Sequence, residues 1–218
     1  MKNRQLADLL RPRTFDDIVG QDHLFGERGV VRRMVKNGRI TNMIFYGPPG
    51  TGKTTAANIV AKASGMSLHK LNATSASLSD IKEVIAATDS MMGRDGVLLY
   101  LDEIQYFNKK QQQSLLEFLE DGRITLIAST TENPYMYVYN AIISRSAVME
   151  FRSLTADDLL PLIRRGLERL NSECGSERTM DEGAAKYIAA CGAGDARRSL
   201  NLLENAFYTS RVITSPEV

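Results

Sequence analysis

The sequence predicts an α/β fold, a five-stranded parallel sheet flanked by helices, followed by a small all-helical unit. Five short strand-like runs, Met43–Tyr46, Leu68–Leu71, Val97–Leu101, Ile124–Ala128 and Ala147–Phe151, mostly apolar, alternate mostly with segments of helical period, which is the pattern of strands joined by crossover helices. After Phe151 the strand-like runs stop and three helical segments follow, Thr155–Leu170, Asp181–Ala190 and Asp195–Tyr208. The charge balance shifts at the same place. Residues 1–154 carry 19 basic and 16 acidic groups, whereas residues 155–218 carry 8 and 10. Two units are therefore expected, one over residues 1–153 and a second over 154–218.

Within the first unit, Asn108 is placed to cap a helix whose Leu115, Leu116 and Leu119 share a face, and Gly122 stands where a left-handed C-terminal glycine belongs. In the second, Pro161 falls inside a helical pattern and removes one backbone donor, so a kink or a later helix start is expected. The last helix places Ala196, Leu200, Leu203 and Phe207 within about 60° of one another at 100° per residue, a buried stripe. Arg197 lies to the side of that stripe and Arg198 nearly opposite it, so Arg197 is the one able to reach an interface between the units. Thr214-Ser215-Pro216-Glu217 reads as the start of a further helix, which predicts a chain truncated at its C-terminus. Met91-Met92 reads as loop or core.

Composition narrows the function classes. With 218 residues, 43% hydrophobic and 24% charged, the chain can bury a sizeable core and is not disordered. No unbroken apolar run exceeds that of Val97–Leu101, far short of the roughly 18 to 20 residues of a membrane helix, and Met1-Lys2-Asn3-Arg4 opens no secretory signal, so a soluble intracellular protein is expected. Cys174 and Cys191 are too few for a disulfide framework, lie at no metal-ligand spacing, and are read as buried residues of the second unit. A net charge of +1 gives no global attraction to nucleic acid, so any DNA contact must come from a local patch.

The strongest signal follows the first strand. Gly47-Pro48-Pro49-Gly50-Thr51-Gly52-Lys53-Thr54 matches GxxxxGK[ST] and leads through Thr55 into a helix with Ala56, Ile59, Val60 and Ala63 on one side. Glycines there let backbone N–H groups converge on phosphate oxygens, the helix N-terminus adds a favourable dipole, Lys53 reaches the β and γ phosphates and Thr54 is placed to ligate Mg²⁺. Forty-nine residues after Lys53, the run ending at Leu101 is followed by Asp102-Glu103, two carboxylates at the carboxyl end of a buried strand. Asp102 suits the metal shell, and Glu103 suits activation of a water for attack on the γ-phosphate. ATP with Mg²⁺ is the expected ligand pair.

Together these motifs make a P-loop NTPase that resembles the AAA+ ATPases over essentially the whole chain. Thr14-Phe15-Asp16-Asp17-Ile18-Val19-Gly20-Gln21 looks like the family segment that packs around adenine, with Ile18 and Val19 as contacts. The resemblance implies that Thr130 is the sensor-one residue orienting the attacking water, with Asn133 the weaker candidate. It also implies that Arg145 of Ser144-Arg145 enters the neighbouring subunit's ATP site, and that Arg197 of Gly194-Asp195-Ala196-Arg197 is the sensor-two arginine of the lid. An arginine acting in trans requires a head-to-tail oligomer.

Within that class, Phe45–Thr55, Asp102–Lys109, Glu120–Thr125, Thr130–Pro134 and Gly194–Asn201 look most like replication-associated recombination protein A, the bacterial group related to Werner-helicase-interacting protein. The likeness implies a DNA-dependent ATPase at stalled or damaged replication forks, a homo-oligomer, usually a tetramer, located in the bacterial cytoplasm at the nucleoid. Clamp-loader subunits and Holliday-junction motors are the neighbouring readings, and an ATP-gated binding switch is the alternative of another class. Gln105 stands where the group usually has histidine, and Tyr135-Met136-Tyr137-Val138-Tyr139 replaces a less aromatic stretch. Lys109 and Lys110, at a helix N-terminus, are the preferred DNA contacts over the cluster Arg28, Arg32, Arg33, Lys36 and Arg39. Tyr135, Tyr137 and Tyr139 alternate as one aromatic face, suited to bases or, more readily, to a neighbouring subunit.

Overall fold

The structure, a computed structural model, describes residues 5–88, 96–209 and 212–214. Ser215-Pro216-Glu217 and Met91-Met92 lie outside them. An N-terminal segment carries α1 (Leu6–Leu9), a 3-10 turn at Phe15–Asp17, α2 (Asp22–Phe25) and α3 (Val30–Lys36). The sheet unit runs β1 (Met43–Tyr46), α4 (Lys53–Ser64), β2 (Ser67–Asn72), α5 (Leu78–Thr88), β3 (Val97–Asp102), α6 (Lys109–Glu120), β4 (Ile124–Thr130), the single turns α7 (Pro134–Tyr137) and α8 (Asn140–Ile143), and β5 (Ala147–Glu150). Three long helices follow, α9 (Ala156–Cys174), α10 (Glu182–Gly192) and α11 (Ala196–Thr209), with the strands β6 (Thr179–Met180) and β7 (Val212–Ile213) between and after them.

The five main strands form one sheet in the order β2-β3-β4-β1-β5, every neighbouring pair parallel. Its inner strands are apolar on both faces because helices cover both. On one side Ile44, Leu99 and Leu101 pack with Leu115 and Leu119 of α6; on the other Met43, Phe45 and Leu98 pack with Ala56, Ala57 and Val60 of α4. Alternate residues of β1 and β3 thus feed different cores, as the two-residue period of a strand requires. The α6 boundary is fixed by a reciprocal cap in which Asn108 accepts from the Gln111 amide and Gln111 returns the bond to the Asn108 amide, and Gly122 closes it at φ +67°. Leu115 and Leu119 are buried, while Leu116 is only half-buried.

The helical unit has its own core. Leu159, Leu162 and Ile163 of α9 meet Ile188 of α10 and Leu200, Leu203 and Phe207 of α11, a set in which each fully buried side chain contributes about 1.5–3 kcal/mol. Leu6 of α1 is fully buried in the same core and its amide donates to Glu204 at 3.2 Å, so the start of the chain packs with its end. Among the described residues no helix is long and apolar enough to cross a membrane.

Several expectations change. The helical unit is not wholly helical, since β6 and β7 pair in parallel as a two-stranded ribbon; two residues carry no period that a sequence could display. The helix holding Pro161 does not start late: α9 begins at Ala156, capped by Thr155 with Asp158, and is helical through to Cys174. Pro161 is exposed, which leaves water to satisfy the carbonyl its ring cannot bond. Cys174 is exposed and Cys191 half-buried rather than both buried. The buried stripe of α9 ends at Leu170, and its last turn overhangs the core before Gly175 reverses the chain at φ +59°.

Candidate active site

The carboxyl ends of β1, β3 and β4 meet at a cleft between the sheet and the helical unit. Its floor is the turn from Gly47 to Thr54. Gly47 has φ +138° and a Cβ there would lie 2.0 Å from the Phe151 carbonyl, so only glycine fits. Gly50 has φ +68° and a Cβ there would lie 1.8 Å from the Asp195 carboxylate. Thr51 Oγ1 donates to the Pro48 carbonyl at 2.8 Å, which closes the loop on itself. The Lys53 ammonium is buried and donates to the Gly47 and Pro48 carbonyls, each at 2.7 Å. Burial pulls its pKa below the usual lysine value, and the nearby carboxylates of Glu103, Asp102 and Asp195 pull it partly back.

Gly50 to Thr55, Asp102, Glu103 and Arg197 line the polar end of this cleft. Its apolar end is built by Ile18 and Val19 with Ala7 and Leu10 from the N-terminal segment and Leu162 and Leu200 from the helices. The structure therefore brings together the phosphate loop, the acidic pair, both expected adenine contacts and the expected lid arginine. The helical unit is tied directly to the loop, since the Ala196 amide donates to the Gly50 carbonyl at 3.2 Å.

Glu103 has left-handed backbone, φ +55°, a conformation that costs a non-glycine residue of order 1–3 kcal/mol and clusters at functional sites. Its side chain accepts from the Gln105 side-chain Nε2. Asp102 accepts from Tyr100 Oη at 3.0 Å and from Ser129 Oγ, and Tyr100 Oη is 2.8 Å from Ser129 Oγ and 3.0 Å from Thr54 Oγ1. Burial, with the Asp102 carboxylate beside it, drives the Tyr100 phenol well above its usual pKa, so it stays protonated. Thr54 and Asp102 thus present a hydroxyl and a carboxylate oxygen on either side of one phenol. That is a hard-oxygen donor set next to a loop of backbone amides, and it fits Mg²⁺ with a phosphate chain.

The placement of Thr130 is a correction. Its side chain is buried at the end of β4, where Oγ1 accepts the Glu132 amide at 3.0 Å, and it does not line the cleft. Thr131, one residue on, is exposed and does line it. Asn133 caps α7 by accepting the Tyr135 amide. Arg145 lies away from its own chain's cleft, 43% exposed, with Nη2 2.7 Å from Glu120 and Nη1 donating to the Ala141 carbonyl at 3.0 Å. Lys109 and Lys110 are exposed at the start of α6, the Lys109 ammonium 5.5 Å from the centre of the Tyr139 ring. The expected aromatic face divides: Tyr135 and Tyr137 are exposed beside Met136, whereas Tyr139 packs against the core, because Pro134–Tyr137 is a helical turn and not an extended strand. The residues that sequence reasoning missed are Thr131, Tyr100, Ser129, Asp195, Ala7 and Leu10. Only Tyr100, a polar group in an otherwise aliphatic run, carried a signal.

Residues 10–138, more than half of the chain, match the family described as the Holliday junction DNA helicase RuvB P-loop domain. The chain belongs to that AAA+ family. It is 38% identical over 200 residues to replication-associated recombination protein A of Coxiella burnetii, covering 91% of this chain and 45% of that protein, and 36% identical to the Bacillus subtilis protein of the same name, covering 99% and 51%. ATPase WRNIP1 of Dictyostelium discoideum is 37% identical, covering 94% and 24%. The chain thus spans about half or less of the length of these curated relatives. Among solved structures, the Thermotoga maritima RuvB Holliday junction branch migration motor superposes with a TM-score of 0.75 at 22% identity, over 95% of this chain and 70% of that one, a likeness of fold. The resemblance to the recombination-protein-A group read from the motifs is borne out, and ATP with Mg²⁺ is this family's ligand pair.

Proposed function

We propose that this chain is the ATP-hydrolysing part of a DNA replication and recombination factor that acts in the bacterial cytoplasm on stalled or damaged forks at the nucleoid. One observation carries the reading: Lys53, Thr54, Asp102, Glu103 and Arg197 line a single cleft that has an apolar end built by Ile18 and Val19. In this reading Lys53 and the loop amides hold the β and γ phosphates, Glu103 polarises the attacking water, and Thr131, in place of Thr130, orients it. Arg197 contacts phosphate from the lid. Thr54 and Asp102 would hold Mg²⁺, which when bound would supply neutralisation of phosphate charge. Arg145, displaced from its own cleft, serves the site of a neighbouring copy, so the active species is a homo-oligomer, a tetramer in the longer protein. Lys109 and Lys110 contact DNA phosphates. The nucleotide-binding unit spans residues 1–153 and the helical lid residues 154–218.

The match to the RuvB P-loop domain favours one second reading, a branch-migration motor. Titrating primer-template, forked and four-way-junction DNA against the ATPase rate separates the two: fork DNA is expected to stimulate most. Preference for the junction rejects the fork reading. Glu103→Gln is expected to bind ATP and lose hydrolysis; a wild type with no hydrolysis to lose leaves a nucleotide-gated switch instead.

A further inference from the structure

We infer that the Tyr100 hydroxyl, relayed through Ser129, is the positioning group that sets Thr54 and Asp102 for a divalent cation. The inference rests on the ATP reading above and adds a residue to it. The run Val97–Leu101 is buried throughout, and four of its five side chains are aliphatic; Tyr100 alone brings a polar atom into that layer. A buried phenol must find partners. Its partners are Thr54, Ser129 and Asp102, and Ser129, fully buried, meets Tyr100 and Asp102.

Proton counting orders this cluster. Three hydroxyls hold three protons, and the carboxylate only accepts. Ser129 donates to Asp102, and Tyr100 donates either to Asp102 directly or to Ser129 and so onward to it. In both arrangements Tyr100 Oη is left as an acceptor, and Thr54 Oγ1, 3.0 Å away, is the donor that fills it. The proton of Thr54 is then turned inward and its lone pairs are turned to the cleft, which is what a hydroxyl ligand must offer a cation. Asp102 is fixed by the same contacts, with its Oδ1 held by two hydroxyls. Groups that orient first ligands in this way are worth 10- to 100-fold in metal affinity or activity.

Tyr100→Phe keeps the ring and removes only Oη, and Ser129→Ala removes the relay. The test is binding of a fluorescent N-methylanthraniloyl ATP, in EDTA and across a MgCl₂ titration, with melting temperature recorded for each protein. Both variants are expected to hold the nucleotide within about twofold of wild type in EDTA and to need about tenfold more Mg²⁺ for the metal-dependent gain. A role limited to packing would lower the melting temperature and leave the Mg²⁺ midpoint alone, and that result overturns the inference. If Tyr100→Phe does not fold, Ser129→Ala decides by the same midpoint. Wild type that binds nucleotide with no Mg²⁺ dependence overturns the inference while leaving nucleotide binding intact. Wild type that binds no adenine nucleotide rejects the ATP reading itself.

Discussion

Thr130 and Thr131 are neighbours with opposite environments. Thr130 is buried with its hydroxyl on the Glu132 amide, and Thr131 is exposed on the cleft. Thr130→Val is expected to cost about 1 kcal/mol of stability from the lost hydrogen bond and to leave turnover within a few-fold. Thr131→Val is expected to leave the melting temperature unchanged and to cut turnover about 10²-fold, the scale of a misplaced reactant. Urea denaturation and steady-state hydrolysis measured on both would reverse the assignment if the losses fell the other way round. The reason this was not legible in the sequence is physical. β4 is covered on both faces and ends in the adjacent hydroxyl residues Ser129 and Thr130, two residues beyond Ala128, so no polar alternation reports which way its end residues point. Lys53, Thr54, Asp102 and Glu103 were legible because backbone geometry ties each to a motif: a glycine turn fixes the first two, and a strand end fixes the others.

At the level of elements, the contact between the phosphate loop and α11 joins the two units. Gly50 accepts the Ala196 amide while the Asp195 carboxylate, which also receives the Arg198 amide at 3.0 Å, covers the space a Cβ would need. Gly50→Ala therefore meets both a left-handed backbone, costing about 1–2 kcal/mol, and a collision with the residue that starts α11. Reduced nucleotide affinity is expected together with faster amide exchange in the first turn of α11. Unchanged exchange there would mean that the loop does not hold the lid. Whereas α9 runs to Cys174, four residues past the expected Leu170, Met43–Tyr46 and the Asn108 cap were readable from the sequence. The ribbon of β6 and β7 was not, being two residues per strand, nor was the burial of Leu6, since a four-residue helix has too little length to show a face.

For the whole molecule, the question is whether one copy suffices. Arg145 is engaged by Glu120 on its own surface, an exposed pair of the kind worth 0–1 kcal/mol, so little opposes its transfer to another copy. Lys53→Ala and Arg145→Ala proteins, each inactive alone, are expected to regain part of the ATPase rate when mixed, because some interfaces then pair an intact loop with an intact arginine. Mixtures that stay at the level of the separate proteins would confine catalysis to single chains.

The same scale gives meaning to the shared core of Leu6 and α11. Because the first and last described helices are packed together, the polypeptide passes between the two cores twice, once near Gln21 and once near Arg152. Those passages are clasped, with the buried Gln21 side chain donating to the Arg152 carbonyl at 2.7 Å and accepting its amide at 3.0 Å. Any swing of the helical unit relative to the sheet must therefore turn about a double-stranded pivot, which resists torsion and favours a single plane of opening.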